Sequence, residues 1–143
     1  ALTMEPVAGH RLTTREAGRE RLVLVTSAKT AQGTDRYIHV DLGPEFRRRH
    51  TEDTGVEIRS AVTYAASSWA LDHLLRNGGK AYLPWGSVAP KLHDGTLHRV
   101  TGAPEFSRSF HFTTRAQSRA QLPWLEPSIT WFDALTMTAP STG

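Results

Sequence analysis

His39 and Asp41 stand two residues apart in the run Tyr37-Ile38-His39-Val40-Asp41-Leu42. On a β-strand that spacing sets both side chains on one face, and an imidazole beside a carboxylate is a pair that can move protons. No orienting third group and no recognisable nucleophile stands near them in the chain, so the pair reads better as solvated or hydrogen-bonded than as catalytic. The seven histidines show no His-Glu-x-x-His or comparable spacing for a metal, and His93 and His98 simply flank a turn. Gly78-Gly79-Lys80 has the residue types of a phosphate loop. It follows a helix pattern and precedes a strand pattern, the reverse of what such a loop needs, and it lacks the upstream glycine. Gly86-Ser87 lacks the second flanking glycine of a nucleophile elbow. With no cysteine, disulfides and thiolate metal sites are excluded. These residues imply no cofactor and point away from an enzyme; a small α/β hydrolase or transferase using His39 and Asp41 is the enzymatic alternative.

The elements that must position any site are read from periodicity. Ala1–Met4 reads as a strand ended by Glu5-Pro6, Leu12–Ala17 as a short strand or turn region, and Arg21–Ser27 as a β-run bounded by polar residues. A loop over Ala28–Asp35 leads to the alternating strand Tyr37–Leu42. Gly43-Pro44 opens a helix from Glu45 to about Glu52 that stops before Gly55, with Pro at the first helical position and a carboxylate near the positive end of the dipole. Val56–Val62 reads as another alternating strand and Thr63 as the N-cap of the next helix. In Ser67–Asn77, Leu71, Leu74 and Leu75 fall at i, i+3 and i+4 beside Ala70, while Ser68, Asp72 and Arg76 take the opposite side. Asn77-Gly78-Gly79 stops that helix. Ala81–Leu83 is apolar enough to be buried on both faces, and Pro84 closes it. A short helix, Ser87–Leu92, a turn at His93-Asp94-Gly95 and a strand at Thr96–Val100 complete the succession. Beyond Thr101–Pro104, Arg108–Thr114 alternates as a strand with Phe110 and Phe112 on one face. Pro123 or Glu126 begins a last helix containing Trp131, Phe132 and Leu135, and the tail from Thr136 to Gly143 is expected to fray.

Strand and helix thus alternate from Tyr37 to Val100, which argues for βαβ crossovers and an α/β fold with a mostly parallel sheet and helices on both faces. The 143 residues suffice for one domain or two small lobes. No apolar run is long enough to span a membrane and no export signal opens the chain. The net charge of +3 comes mainly from arginines that are scattered apart from Arg47-Arg48-Arg49, the pattern of a solvated surface rather than of a nucleic-acid-binding stripe. The chain begins at Ala1 without an initiator Met and opens in an apolar segment, as a fragment would.

In an open α/β lobe, ligands sit outside the carboxyl ends of the parallel strands, where helix beginnings present unpaired N–H groups. Three places qualify: Leu42-Gly43-Pro44, Thr63-Tyr64 through Ser67, and Trp85-Gly86-Ser87. An anionic molecule would be held there by main-chain N–H groups and a hydroxyl from Thr63 or Ser67. The alternative reading makes Thr63 and Ser67 mere caps and Trp85 a core or rim aromatic.

The ordered set of a helix ending near Gly79, a strand finishing in Leu83-Pro84, a short helix over Val88–Leu92 and then Gly95-Thr96-Leu97 resembles the effector-binding domain of LysR-type transcriptional regulators. The resemblance covers Ala1 to about Leu135 and implies a periplasmic-binding-protein-like (type II) fold: two α/β lobes joined by crossing strands, with a small-molecule cleft between them. It makes residues 1–20 the end of a partial first lobe, 21–104 a crossing strand and the whole second lobe, and 105–143 the return crossing with a helix packing on the first lobe. It also implies that Thr3, Met4 and Glu5 face the cleft, so that Thr3, Glu5, Gly43, Thr63, Tyr64, Ser67, Trp85 and Gly86 form the effector-binding set.

Two departures stand out: Lys80 replaces an apolar residue of the family, and both the first half of the first lobe and the winged helix-turn-helix are missing. The implied function is sensing a small metabolite in the cytoplasm, an anion being one candidate. The implied partners are that effector, further copies of the subunit in a dimer or tetramer, and DNA only through the missing N-terminal domain, with no membrane. A free-standing solute-binding protein is the other alternative.

Overall fold

Leu12–Ser27 forms a single strand of 16 residues (β2), where the sequence suggests two elements, Leu12–Ala17 and Arg21–Ser27. In the computed structural model, which describes residues 1–27, 36–115, 117, 121–128 and 130–131, the chain divides into two compact units. One comprises Ala1–Glu20 and Arg108–Gly143, the other Arg21–Ser107. The expectations for Ala28–Asp35, Phe132, Leu135 and the tail lie outside the described residues.

In the first unit, β1 (Leu2–Thr3) pairs antiparallel with β7 (Phe106–Arg115), Leu2 opposite Phe112 and Thr3 opposite His111. β7 is a neighbour of β2 in the same sheet. Two side-chain ties join them here: the Thr14 and Thr113 hydroxyls lie 3.0 Å apart, and the Arg108 guanidinium donates from Nε to a Glu20 carboxylate oxygen at 2.7 Å. Residues 125–128 and 130–131 are helical.

The second unit holds the succession β3 (His39–Val40), α1 (Pro44–Thr54), β4 (Thr63–Tyr64), α2 (Ser67–Asn77), β5 (Lys80–Pro84), α3 (Trp85–His93) and β6 (Leu97–Arg99). β3 and β4 are parallel, and a parallel bridge joins Tyr37 to Lys80 beside them. β5 and β6 both run antiparallel to β2, with Val23 opposite Leu83 and Thr26 opposite His98. The α/β class is therefore as expected, while parallel pairing is narrower than a mostly parallel sheet. The reason lies in the connections. Helical crossovers oblige β3, β4 and β5 to run the same way, whereas β2 reaches β3 without a helix pattern and is under no such constraint.

The core of this unit contains Leu22, Val23, Val25, Ile38, Val40, Phe46, Ala70, Leu74, Tyr82, Leu83, Val88 and Leu97, all buried. Ala81, Tyr82 and Leu83 are each buried, so both faces of β5 are covered. α2 packs on β5 and β3, and α3 on β5 and β6. Leu74 of α2 is fully buried and Leu71 and Leu75 pack half-buried beside it. Each large aliphatic side chain removed from water contributes about 1.5–3 kcal/mol. On α1 the buried pair is Phe46 and His50, one turn apart, while Arg48 reaches Glu45 and Glu52 at 2.7 Å each. Arg48 is thus paired within the helix, and Arg47 and Arg48 are both exposed.

One expected strand is absent. Val56–Val62 does not form a ladder; it runs as irregular chain after α1 ends at Gly55, whose φ of 66° suits glycine. Its backbone is fastened by the Ser60 hydroxyl, which donates to the Tyr37 carbonyl at 2.7 Å and accepts the His39 N–H at 3.2 Å. The Val62 carbonyl also accepts the His39 N–H, at 3.0 Å, so backbone pairing with β3 begins only at the last residue of the run, and alternation alone does not reveal where pairing starts.

Candidate functional site

β3, β4 and the start of β5 run parallel, so their carboxyl ends emerge on one edge of the second unit. Each leads into a helix: Gly43 into α1, Ala66 into α2 and Pro84 into α3. None of these three starts has a side-chain cap. The first N–H groups of a helix have no partner within it and carry the positive end of its dipole. An edge with three such beginnings suits an anionic or hydrogen-bond-accepting ligand.

Gly43 takes φ 93°, which a side chain would strain, and its N–H donates to Asp41 Oδ1 at 3.3 Å. Thr63 is not a helix cap: it lies in β4, exposed, and the N-cap of α2 is Ala66. The cap moves because β4 pairs with β3 through Thr63 and Tyr64, and two further residues separate that ladder from the first helical turn. Ser67 opens α2 itself. Tyr64 is half-buried, with its hydroxyl 2.9 Å from His73 Nδ1, a contact that fixes the ring against α2. Trp85 opens α3, half-buried, with the Arg21 guanidinium 4.1 Å over its ring. Gly86 is exposed in the same turn. Thr3 and Glu5 belong to the other unit, where the Thr3 hydroxyl donates to the Glu5 carbonyl at 2.7 Å.

Gly43, Tyr64, Ser67, Trp85 and Gly86 therefore share one edge of one unit, tied across β3 and β4 by the Asp41 N–H donating to the Tyr64 carbonyl at 2.9 Å. Three contributors enter only with the structure. Arg21 covers Trp85 from a distant strand and leaves no local signal. His73 meets Tyr64 only through the fold. Asp41 had a legible signal, since a carboxylate two residues before the Gly of a Gly-Pro helix start is placed to accept that glycine's N–H.

His39 and Asp41 do not form a hydrogen-bonded pair. His39 is buried with Nδ1 unpartnered, and burial pushes its imidazole down from the ordinary value, opposed in part by Asp41. Asp41 is exposed, 3.9 Å from Arg47 Nη2. Among the described residues no three His, Asp or Glu side chains gather to hold a metal ion, and no helix is long and apolar enough to cross a membrane.

Comparison with known proteins supplies the fold class. No protein-family profile matches the sequence, and no curated protein is similar to it. Solved structures do match. The C-terminal domains of a LysR family protein from Agrobacterium tumefaciens superpose with a TM-score of 0.72 at 13% identity, covering 94% of this chain and 72% of that one. Full-length LysG from Corynebacterium glutamicum, with bound effector Arg, gives 0.66 at 14% identity, covering 92% and 50%. The bromide-bound regulatory domain of HypT from Salmonella typhimurium gives 0.66 at 13% identity, covering 89% and 67%. The chain has the fold of the regulatory domains of LysR-family proteins. It spans about half the length of full-length LysG.

Proposed function

We propose that this chain is the effector-sensing part of a LysR-type transcriptional regulator. A small, anionic or strongly hydrogen-bond-accepting metabolite binds at the helix-start edge of the second unit, with Gly43, Thr63, Tyr64, Ser67, Trp85 and Gly86 around it. The observation that carries this reading is the set of three uncapped helix beginnings on one edge, in a fold whose solved examples include proteins holding a bound effector or anion. Residues 21–104 act as the second effector lobe, and residues 1–20 with 105–143 as part of the first. Ligand binding shifts the population of conformers, and in the intact cytoplasmic regulator that shift is relayed through subunit contacts to a separate DNA-binding domain. The role is binding rather than turnover.

A thermal-shift screen of small carboxylates and amino acids, with calorimetry on hits, tests this. Ser67→Glu is the informative variant, because a carboxylate at a helix start is compatible with folding yet repels an anion. We expect binding at least tenfold weaker in Ser67→Glu and in Trp85→Ala, with no chemical change in the ligand. An unchanged affinity in both variants, or turnover lost in His39→Ala, would remove the proposal.

A further inference from the structure

The second unit has a cleft of about 660 Å³ that the effector site does not use. It lies at the other ends of the same elements. Tyr37 precedes β3, Lys80 begins β5, and His50 with Thr54 comes from the end of α1. α1 has 11 residues; at about 1.5 Å per residue its two ends are roughly 15 Å apart, so this cleft and the helix-start edge are separate places.

Three rings build its wall. Tyr37 and His50 have centroids 6.0 Å apart, and His50 meets Tyr82 edge-on at 5.7 Å. The wall is held in place, since the Tyr82 hydroxyl donates to the Pro104 carbonyl at 2.9 Å and the Ser60 hydroxyl engages the Tyr37 carbonyl. The lip is Val56, 61% exposed, with Ile58 half-buried next to it. An aliphatic side chain so exposed beside a preformed ring wall is the arrangement of a receptor for apolar surface, and the volume is that of a small-molecule site. Tyr37 adds a hydroxyl that is buried and makes no hydrogen bond, an unmet donor that a seated acceptor would satisfy.

We propose that this cleft is a second ligand site, for a planar aromatic molecule of one or two rings. Fixed ring edges and faces favour aromatic over saturated occupants, because quadrupole complementarity adds to the area removed from water.

The test is titration of the full chain with 2-naphthol, monitored by amide chemical shifts, with decahydro-2-naphthol as the saturated probe of equal frame. We expect shift changes gathered at residues 54–59, 80–82 and 103, and binding of the saturated probe at least fivefold weaker. Val56→Glu at the lip and Ala103→Phe, which fills the mouth, should each weaken 2-naphthol at least fivefold. Val56 is exposed, so its variant folds even if Ala103→Phe does not. Changes gathered instead at residues 41–43, 63–67 and 85–87 would move the aromatic ligand to the effector edge and overturn the proposal. So would equal affinity for the two probes, or unchanged binding in Val56→Glu. The same cleft residues shifting with protein concentration alone would mean that a second copy covers the site, which also overturns it. Loss of the effector edge leaves these readouts untouched, so the two proposals fail separately.

Discussion

Gly79 shows how one residue type can be required by its surroundings. Its φ is +109°, and a Cβ placed there would stand 2.8 Å from the Arg36 carbonyl oxygen and 3.1 Å from Ile38 Cδ1. The Lys80 N–H donates to that same carbonyl at 2.9 Å, so the neighbour cannot move without breaking the bridge that sets β5 beside β3. Gly95 also has a positive φ, +76°, but open space around it. Gly79→Ala should therefore lose about 2–4 kcal/mol, against about 1 kcal/mol for Gly95→Ala, where only the backbone preference opposes it. Urea unfolding of the two variants checks the difference; equal losses would show that the close approach at Gly79 costs little. The glycine pair is visible in the sequence as a helix stop, yet which glycine is indispensable depends on residue 36, a contact over forty residues.

At the scale of elements, β2 and β7 are held together in the first unit by Glu20 and Arg108. Their side chains are 24% and 17% exposed, so water screens the pair poorly. Removing the guanidinium strands a mostly buried carboxylate, and charged hydrogen bonds of this kind are worth about 1.5–3 kcal/mol. Arg108→Met should destabilise by about that much while keeping the aliphatic stem, and Glu20→Gln by less, since an amide still accepts from Arg108. Thermal unfolding of both gives the ordering, and the reverse order would exclude a stranded charge as the cause. Neither residue advertises the pairing, because their separation in the chain is 88 residues. By contrast α2 is legible residue for residue: Ser67–Asn77 is bounded as the apolar spacing and the Asn-Gly-Gly stop predict. The end of α1 before Gly55 is equally readable. Val56–Val62 misleads, because period-two alternation records which residues face the interior, not whether a partner strand exists.

For the whole molecule, pH dependence sums over groups that no single element contains. His39 and His50 are both buried, and burial holds both imidazoles below their ordinary value. The unfolded chain takes up these protons as pH falls through about 6.5, while the folded chain resists. Stability is therefore full above that pH and declines below it until the lowered folded values are reached. Glu16 and Asp94 are held low by Arg19 and Thr96 respectively, so their contributions vanish only further down, below about 4. Urea midpoints should fall between pH 7.5 and 5.5 and fall again below pH 4. Substituting both histidines by Gln should flatten the first step and leave the second; an unchanged first step would place its cause elsewhere.

By itself the sequence determined the α/β alternation from Tyr37 to Val100, the boundaries of α2, the stop of α1 and the burial of Ala81–Leu83. Each rests on periodicity or on the local conformational preference of Gly and Pro, which act within a few residues. Only the tertiary structure decided that β5 and β6 run antiparallel to β2, that Leu12–Ser27 is one strand, that Thr63 pairs in β4 instead of capping, and that Tyr37, His50 and Tyr82 wall a cleft. Those outcomes depend on which distant backbone supplies the hydrogen-bond partner and which distant side chain fills the space, quantities that no short window of residues contains.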